Sequence, residues 1–563
     1  MRAGLSWLDQ SVRLAPEYAE AAAGALVAAF AHEASDVQER AVRLAVKHAA
    51  HLDRAPLRDA AAALPADLRE RLGISEKPGE DEKPADGAGS GEDARPALLI
   101  APALPPVEFP PPITTAAELG AEFVQLAHAP FTHLDWLGSE RLMAALVELT
   151  YRDRAAVRAA LAQVPARTWT WDEDDDPVAW LWTAMQAVAS PPAPSPVSRF
   201  PDPHRTSMPH LLILSRMAEI LAAARADNLP PVLLATPTSA DGHVDPTELL
   251  ARLERLEAVD MDPPDADLQQ ALLRIPRRVD AGVAAKAARL TSPAGRIVAR
   301  WLSGGGLADP VVTVRYGYEG DSHRWFDDGP PPSYYYNSRA YSFVAASPVE
   351  LDLIDLLCRD PRAFTLNRGG YLNWWAGIMP SHREVVAAYL LPFFDWDWPE
   401  RSPGPPILHD LARADGPLGP AFATMLVSHL NNEDPAGRAA ALDLLLALAA
   451  AGDLPATDVG DQLGQLVKNG MVTLSRVTPS LAEAERAGAG AQVWRTVAAA
   501  LPRILPADGE RPPNGLADLI ALGVKTAPPG DTTRIPGLAA IAARGGSSRM
   551  VREALRLTRL LPS

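Results

Sequence analysis

The segment Glu433-Asp-Pro-Ala-Gly-Arg-Ala-Ala-Ala-Leu-Asp-Leu-Leu-Leu-Ala447 shows the pattern that decides the fold of this chain. A polar pair opens it, an arginine follows five positions after the first polar residue, and small and apolar residues complete it. Residues 547–557 and 35–44 repeat this order with the pairs Ser547-Ser548 and Ser35-Asp36. A polar residue before an apolar run at helical spacing is typical of a capped helix. The recurrence therefore indicates a loose internal repeat of amphipathic helices.

The three segments resemble the second helix of HEAT and armadillo repeats. The resemblance implies stacked helices that bury a shared core, as in an α-solenoid. The alternative interpretation is that any capped, alanine-rich helix matches such a loose pattern. We expect a mainly α chain, with a HEAT/armadillo-like α-solenoid and a small β-hairpin insert.

Composition shifts divide the chain into five segments. We expect N-terminal helical repeats in residues 1–73, a disordered acidic Pro/Gly linker in 74–112, a helical-repeat solenoid in 113–302, an aromatic-rich segment with a β-hairpin insert in 303–400, and C-terminal HEAT-like repeats in 401–563. A chain of 563 residues exceeds the ~250 to 300 residues at which a single core stops growing, so several domains or an elongated array are expected.

The charge balance bears on possible partners. The formal net charge is −17, and residues 301–400 hold 7 Lys and Arg against 13 Asp and Glu. Nucleic-acid surfaces depend on Lys and Arg to neutralise phosphates, so we expect no nucleic-acid partner. A protein partner with a basic or mixed surface is favoured instead.

The single cysteine excludes an internal disulfide and a Cys-based zinc cluster. Cys358 lies in apolar sequence, and we predict a buried small side chain rather than a nucleophile. The sequence shows neither a signal peptide nor the ~18 unbroken apolar residues that span a bilayer, so we expect a soluble, cytoplasmic protein without a membrane partner. The chain opens directly in a repeat-like helix, and a truncated N-terminus is an alternative interpretation.

A more distinctive block comprises His210-Leu-Leu-Ile-Leu214, Val232 to Pro246, Leu249 to Leu256 and Ala271 to Pro276. It is similar to an uncharacterised family of bacterial helical-repeat proteins, described as a domain of unknown function. The resemblance extends from about residue 115 to the C-terminus. It implies a helical fold and an association with multi-gene systems that include ATPase and von Willebrand-type partners, but it brings no catalytic residues.

More than half of the chain's Phe, Trp and Tyr residues lie between residues 301 and 400. Val312, Val314, Tyr316 and Tyr318 alternate with their neighbours, and the alternation returns from Tyr335 to Phe343, which predicts two strands. A long loop over 319–332 joins them. An isolated hairpin is marginal in water, so this one must pack on other elements.

These aromatic residues form either a local core or a surface for a partner. Three consecutive tyrosines cannot all face one side of a strand, so at least one is exposed or covered by another element. We predict that the following residues bind a partner, with a local core as the alternative for each: Tyr316, Tyr318, Trp325, Tyr334, Tyr335, Tyr336, Trp374, Trp375, Trp396 and Trp398.

Other chemical patterns are less specific. Asp172 to Asp176 precede Pro177 and are expected to complement a helix N-terminus rather than to bind a cation. His48 and His51 lack a third metal ligand nearby, and Asp321, Ser322 and His323 are merely adjacent. Arg549, Arg552, Arg556 and Arg559 are expected to form a solvated helix face, with contact to an acidic partner or to the acidic middle of this chain as the alternative. No metal site, cofactor or nucleotide site is predicted.

We therefore expect a non-catalytic scaffold or adaptor that binds protein partners through a helical-repeat surface and the acidic, aromatic insert. The alternative is a carbohydrate-binding protein or glycosidase. Asp395 and Asp397, set among Phe394, Trp396 and Trp398, would then supply its two carboxyl groups.

Overall fold

A computed structural model gives the fold. It describes residues 19–31, 35–49, 54–61, 66–73, 109–128, 134–165, 174–189, 199–201, 206–318, 324–325, 338–359, 369–394 and 404–561, together with the single positions 5, 8, 12, 52, 64 and 197. The chain divides into two compact units, residues 1–95 with 540–557 and residues 96–539 with 558–563. None of the helices in the described ranges is long and apolar enough to cross a membrane.

Helices α1 to α4 belong to the first unit. They are Ala19–Phe30, Ser35–Lys47, Arg54–Ala60 and Ala66–Arg71. One face of α2 is buried at the predicted helical spacing, by Val37, Ala41, Leu44 and Ala45, with His48 buried just beyond its end. This confirms the amphipathic helix, whereas the side chains of the proposed capping residues Ser35 and Asp36 lie outside the described residues.

Helices α5 to α13 open the second unit. They are Ala116–His128, Trp136–Arg152, Arg154–Leu161, Pro177–Ala189, Met208–Arg225, Pro246–Glu257, Asp265–Leu273, Ala281–Ala287 and Pro293–Gly304. The core between α5 and α8 contains Phe123 and Trp182, whose rings meet edge to face with centroids 6.3 Å apart.

An antiparallel sheet follows, in the strand order β2-β1-β3. Strands β1, β2 and β3 are Val311–Tyr318, Arg324–Trp325 and Ser338–Ala345. Val311 lies opposite Ala345, and Tyr318 lies opposite Ser338. The predicted pairing of two long strands is confirmed from Ser338 to Ala345, and residues 335–337, where the second strand was expected to begin, lie outside the described residues. The predicted loop also contains β2, which pairs with Gly317 and Tyr318.

The aromatic segment continues with α14 (Asp352–Leu357), a 3₁₀ helix (Gly369–Gly377), α15 (Arg383–Leu390) and a 3₁₀ turn (Leu391–Phe393). Several of its described aromatic side chains lie inside the fold. Tyr371 and Trp374 belong to the same core cluster as Phe123 and Trp182. The segment is therefore built into the second unit.

Helices α16 to α23 are Pro405–Arg413, Pro420–Leu430, Pro435–Ala451, Ala456–Lys468, Leu474–Ala484, Gly490–Ile504, Leu516–Thr526 and Leu538–Ala543. From α16 to α22, each helix packs against the one two positions further along the chain. Gly460 and Gly464 on α19 face the backbone of α21, where a Cβ atom on Gly464 would lie 2.9 Å from the carbonyl oxygen of Ala500. Helices at alternating positions are therefore in contact along this stretch.

Helix α24 (Arg549–Leu560) falls mostly in the first unit. Arg552 Nη2 lies 2.8 Å from Glu39 Oε2 on α2, and Arg556 Nη2 lies 3.4 Å from Glu39 Oε1. Glu39 and Arg556 are both buried. The prediction of a solvated basic face was therefore wrong for Arg552 and Arg556, because a buried carboxylate on another helix pairs with both.

The recurrent arginine of the sequence pattern has a structural role. Arg438 Nη1 donates to the carbonyl oxygen of Glu433 at 2.9 Å, and Arg552 Nη1 donates to that of Ser547 at 2.5 Å. Arg296 Nη1 makes the same bond to Thr291 at 2.5 Å, in a copy of the pattern that the sequence analysis missed. Each guanidinium satisfies a carbonyl five residues earlier, in the turn that leads into a helix.

Candidate binding cleft

An open cleft of about 640 Å³ lies between α6 and α10 in the second unit. Residues 109–113 and the loop 236–238 complete its walls. The lining is mostly apolar, with charged residues interspersed: Phe109, Pro110, Pro112, Ile113, Leu137, Glu140, Arg141, Ala144, Ala145, Glu148, Thr236, Pro237, Thr238, Asp245, Thr247, Glu248, Ala251 and Arg252. This size falls in the range of ligand pockets, which is ~300 to 1,000 Å³.

One stripe of α6 forms a wall of the cleft. Leu137, Glu140, Arg141, Ala144, Ala145 and Glu148 recur at helical spacing and so share a face. Asp135 caps this helix by accepting a 2.7 Å hydrogen bond from the Gly138 amide. Alanine at the middle positions leaves the space that the cleft occupies.

The opposite wall is the start of α10. Asp245 caps it, because its Oδ1 accepts from the amides of Thr247 at 2.8 Å and Glu248 at 3.1 Å. Pro246 at the first helical position fits the fixed φ that a helix start needs. Arg252 Nη1 ties α10 to the loop by donating to the carbonyl oxygens of Leu234 and Thr236. Both walls are thus held by local hydrogen bonds.

A buried network of four charged side chains underlies the cleft. Arg216 on α9 contacts Glu140 at 2.5 Å and Asp267 at 3.0 Å, and Arg274 contacts Glu140 at 2.8 Å. Asp267 also accepts from the amide of Leu234 at 2.5 Å. Two cations and two anions therefore balance in the interior, as a buried charge requires.

The network keeps its groups ionised. Burial works to raise the pKa of Glu140, but Arg216 and Arg274 outweigh it and hold that pKa below its ordinary value. Burial works to lower the pKa of Arg216, but Glu140 and Asp267 raise it overall. Burial lowers the pKa of Arg274 to about 10, against the opposing charge of Glu140. All three groups are charged at neutral pH.

Arg274 also links the network to the aromatic segment. Its Nε donates to the carbonyl oxygen of Gly377 at 3.0 Å, and its guanidinium carbon lies 5.8 Å from the centroid of Trp136. Gln270 donates to the carbonyl oxygen of Ile378 at 2.6 Å. A Cβ atom on Gly377 would meet the Trp136 ring at 2.9 Å, so this approach requires glycine.

Ser381, His243 and Asp241 form a second polar contact beside the first. His243 Nε2 lies 3.1 Å from Ser381 Oγ, and its Nδ1 lies 3.0 Å from Asp241 Oδ2. Such distances suit a nucleophile, a base and an orienting acid. However, Ser381 is 2% exposed and its hydroxyl donates to the carbonyl oxygen of Ile275 at 2.8 Å. The hydroxyl proton points away from His243, and the three residues act as a cross-link between loops.

The structure places three of the predicted partner-binding aromatics inside the fold. Tyr316, Trp374 and Trp375 are 5%, 4% and 0% exposed, because their large rings fill the core between elements. Their packing in this structure is that of a local core. The backbones of Tyr318 and Trp325 pair within the sheet, and their side chains lie outside the described residues.

The other aromatic predictions concern residues that the structure does not describe. These are Tyr334, Tyr335, Tyr336, Trp396 and Trp398, and the carboxylates Asp395 and Asp397 of the glycosidase alternative. Asp321, Ser322, His323 and His51, together with most of the proposed linker, also lie outside the described residues. These proposals stay predictions from sequence.

Two predictions about individual side chains are confirmed. Asp176 Oδ1 accepts a 2.8 Å hydrogen bond from the amide of Val178 and so complements the start of α8. Cys358 is buried, and burial raises the pKa of its thiol to about 12. In the described ranges, no group of three or more His, Cys, Asp or Glu is arranged to hold a metal ion.

Sequence reasoning missed the cleft, although its loop lies in the block 232–246 that stood out in the sequence. The small-residue stripe on α6 was a further signal. In the sequence this stripe is indistinguishable from an ordinary core face, because a buried helix face and a cleft wall have the same spacing of small residues.

Part of the chain matches a known protein family. A family described as a domain of unknown function (DUF7824) matches residues 122–299. No curated protein and no solved structure matches the chain. The matched range contains Glu140, Arg216, Asp267 and Arg274, and thus the whole buried network.

Proposed function

We propose that the chain is a non-catalytic, HEAT-like helical scaffold that binds a protein partner in the cleft between α6 and α10. The observation that carries the proposal is the cleft itself, an open and mostly apolar space with fixed walls. Apolar clefts with a few placed polar groups are where proteins bind ligands and partner segments.

The organisation around the cleft supports a scaffold. The alternating helix contacts from α16 to α22 and the recurrent arginine turns are typical of repeat arrays. The buried charge network resists deformation, because separating any member would leave an unpaired charge in the interior. A rigid site favours binding, since little ordering is required when the partner docks.

The proposal assigns the contact to the cleft rather than to the aromatic segment. Tyr316, Trp374 and Trp375 are occupied in the core, whereas Phe109 at the cleft is 43% exposed. A partner segment would cover this exposed ring and the alanine stripe behind it. The scaffold acts in the cytoplasm in this proposal, where a lone thiol stays reduced.

The test is affinity purification from the native host followed by mass spectrometry. The wild-type chain is compared with Ala144→Trp, which fills the cleft, and with Ala159→Trp on the exposed face of α7 as a matched control. We expect a stoichiometric partner with wild type and the control, and its loss with Ala144→Trp. A partner that all three proteins retain, or none with any, would contradict the proposal.

A further inference from the structure

We propose that the cleft takes a segment of a partner protein in which a large apolar side chain stands beside a lysine or arginine. This inference rests on the proposed function and specifies the partner chemistry at the same site. The cleft lining contains the carboxylates Glu140, Glu148, Asp245 and Glu248 but only the two guanidinium groups of Arg141 and Arg252.

The Nε and Nη1 groups of both cleft arginines already donate within the protein. Arg141 Nε donates to the carbonyl oxygen of Pro111 at 2.5 Å, and its Nη1 pairs with Glu122 at 2.7 Å. Arg252 donates from Nη1 to two backbone carbonyls and from Nε to Glu248 Oε1 at 3.1 Å. An anionic ligand would have to displace these internal bonds, which disfavours acidic partners.

The acceptors at the rim keep spare capacity. Asp245 uses Oδ1 for its helix cap, Glu248 uses Oε1 for Arg252, and Glu148 uses Oε2 for Arg152. Among the described residues, the second oxygen of each of these carboxylates makes no hydrogen bond. A carboxylate accepts at both oxygens, so all three can receive the N–H groups of a cation. The ligand is therefore expected to donate hydrogen bonds to these carboxylates.

Glu140 contributes differently from the rim carboxylates. Arg216 and Arg274 both contact it in the interior, so its charge is balanced before any ligand arrives. Glu148 is also paired, with Arg152 at 3.1 Å and Arg255 at 3.8 Å, and Glu248 is paired with Arg252 at 3.1 Å, but these pairs lie at the exposed mouth of the cleft. The lining as a whole still holds four carboxylates against two guanidinium groups, which favours a basic segment over an acidic one.

The shape of the cleft favours a peptide over a compact small molecule. The lining stripe of α6 runs from Leu137 to Glu148, which is about 16 Å along a helix. An extended chain covers that length with about five residues. Phe109, Pro112, Ala144 and Ala251 offer apolar contact along the way, so a large apolar side chain anchors the segment.

The first step of the test is selection of a displayed library of random dodecapeptides on the immobilised full-length chain, with counter-selection on Ala144→Trp. We expect enriched sequences to carry Lys or Arg within two positions of a large apolar residue. Enrichment of acidic or uncharged sequences would overturn the inference, as would enrichment that Ala144→Trp does not prevent.

The second step measures an enriched, fluorescently labelled peptide by anisotropy. We expect about tenfold weaker binding to Ala144→Trp and unchanged binding to Ala159→Trp. Ala251→Trp on the exposed side of α10 replaces Ala144→Trp if thermal unfolding shows that the latter does not fold. Equal peptide binding to the cleft-filled variant and the control variant would contradict the assignment of the cleft as the binding site.

The third step tests charge on one helix. Glu248→Lys lies in the cleft, whereas Glu254→Lys makes the same change at an exposed position outside it. We expect Glu248→Lys to weaken peptide binding about fivefold, and we expect this difference from wild type to shrink at high salt. Glu254→Lys should weaken binding by less than about twofold. Equal effects of the two variants would overturn the inference, as would displacement of the peptide by millimolar cadaverine, a free diamine.

The two proposals fail separately. A partner captured through the cleft whose selected peptides lack a basic residue leaves the scaffold function standing and overturns the inferred chemistry. Absence of both a partner and any enriched peptide overturns both.

Discussion

The hydroxyl of Tyr316 donates a 2.7 Å hydrogen bond to Gln462 Oε1 and so joins residues 146 positions apart. Tyr316 lies on β1 and Gln462 on α19, and Thr424 on α17 lies 3.2 Å from the same hydroxyl. Burial raises the pKa of Tyr316, which keeps the hydroxyl protonated as a donor. The sheet is thus fastened to the C-terminal helices, which is why this aromatic side chain serves the core.

Tyr316→Phe should lower the free energy of unfolding of the second unit by about 1 to 2 kcal/mol, because Gln462 loses a buried donor. Urea denaturation followed by tryptophan fluorescence measures the change. Tyr151→Phe is the control, since Tyr151 is 45% exposed and should change little. Equal effects of the two substitutions would show that the bond to Gln462 does not stabilise the fold.

Glu140→Gln should destabilise the second unit by about 3 to 5 kcal/mol, because Arg216 and Arg274 would keep only Asp267 as a buried counter-charge. The same substitution at Glu122, the partner of Arg141 at the cleft rim, should cost less than about 1 kcal/mol. Chemical denaturation of both variants measures the two changes in the free energy of unfolding. A loss below 1 kcal/mol for Glu140→Gln would contradict the assigned role of the network.

Gly460→Ala should destabilise the packing of α19 on α21 by about 1 to 3 kcal/mol, since the new methyl group would clash with the carbonyl oxygen of Thr496. Gly490→Ala is the matched control, because no atom lies within 4 Å of a Cβ added there. That change should be neutral or stabilise by up to about 1 kcal/mol. Thermal unfolding of the two variants should shift in opposite directions or at least differ clearly.

His382 should make stability depend on pH between about 6.5 and 4. Burial lowers its pKa to about 4, although Asp309 favours the charged form and Arg277 opposes it. The unfolded chain therefore binds a proton at a higher pH than the folded chain. Stability is fully present above pH 6.5 and falls by about 2 to 3 kcal/mol as pH drops to about 4.

The measurement for His382 is the free energy of unfolding at several pH values for wild type and His382→Gln. The difference between the two proteins should change across this window and be constant above it. Asp415, which also acts on His382, is present in both proteins and cancels in the comparison. A difference that does not vary with pH would show that His382 titrates normally in the folded chain.

Local structure was largely predictable from the sequence. The face of α2, the strand β1 and the Asp176 cap follow from spacing and from residue type, which act over a few positions. Alternation from Tyr335 onward predicts a strand but does not show where its pairing with β1 begins. That boundary depends on the partner strand.

The cleft and its network were not predictable in the same way. Arg216, Asp267 and Arg274 each look like a polar position on a helix, and their mutual distances depend on how α9 and α11 meet. The burial of Tyr316, Trp374 and Trp375 was not predictable for the same reason, since a sequence shows hydrophobic area but not which neighbour covers it.

The pairing of Glu39 with Arg552 also affects when the first unit can form during synthesis. The two residues are 513 positions apart, and a ribosome adding about 5 to 20 residues per second leaves tens of seconds between their emergence. Throughout that time Glu39 lacks the cations that neutralise it in the finished protein. Helix α2 is therefore made long before its buried carboxylate gains its partners, and a molecular chaperone would find a client surface there until α24 emerges.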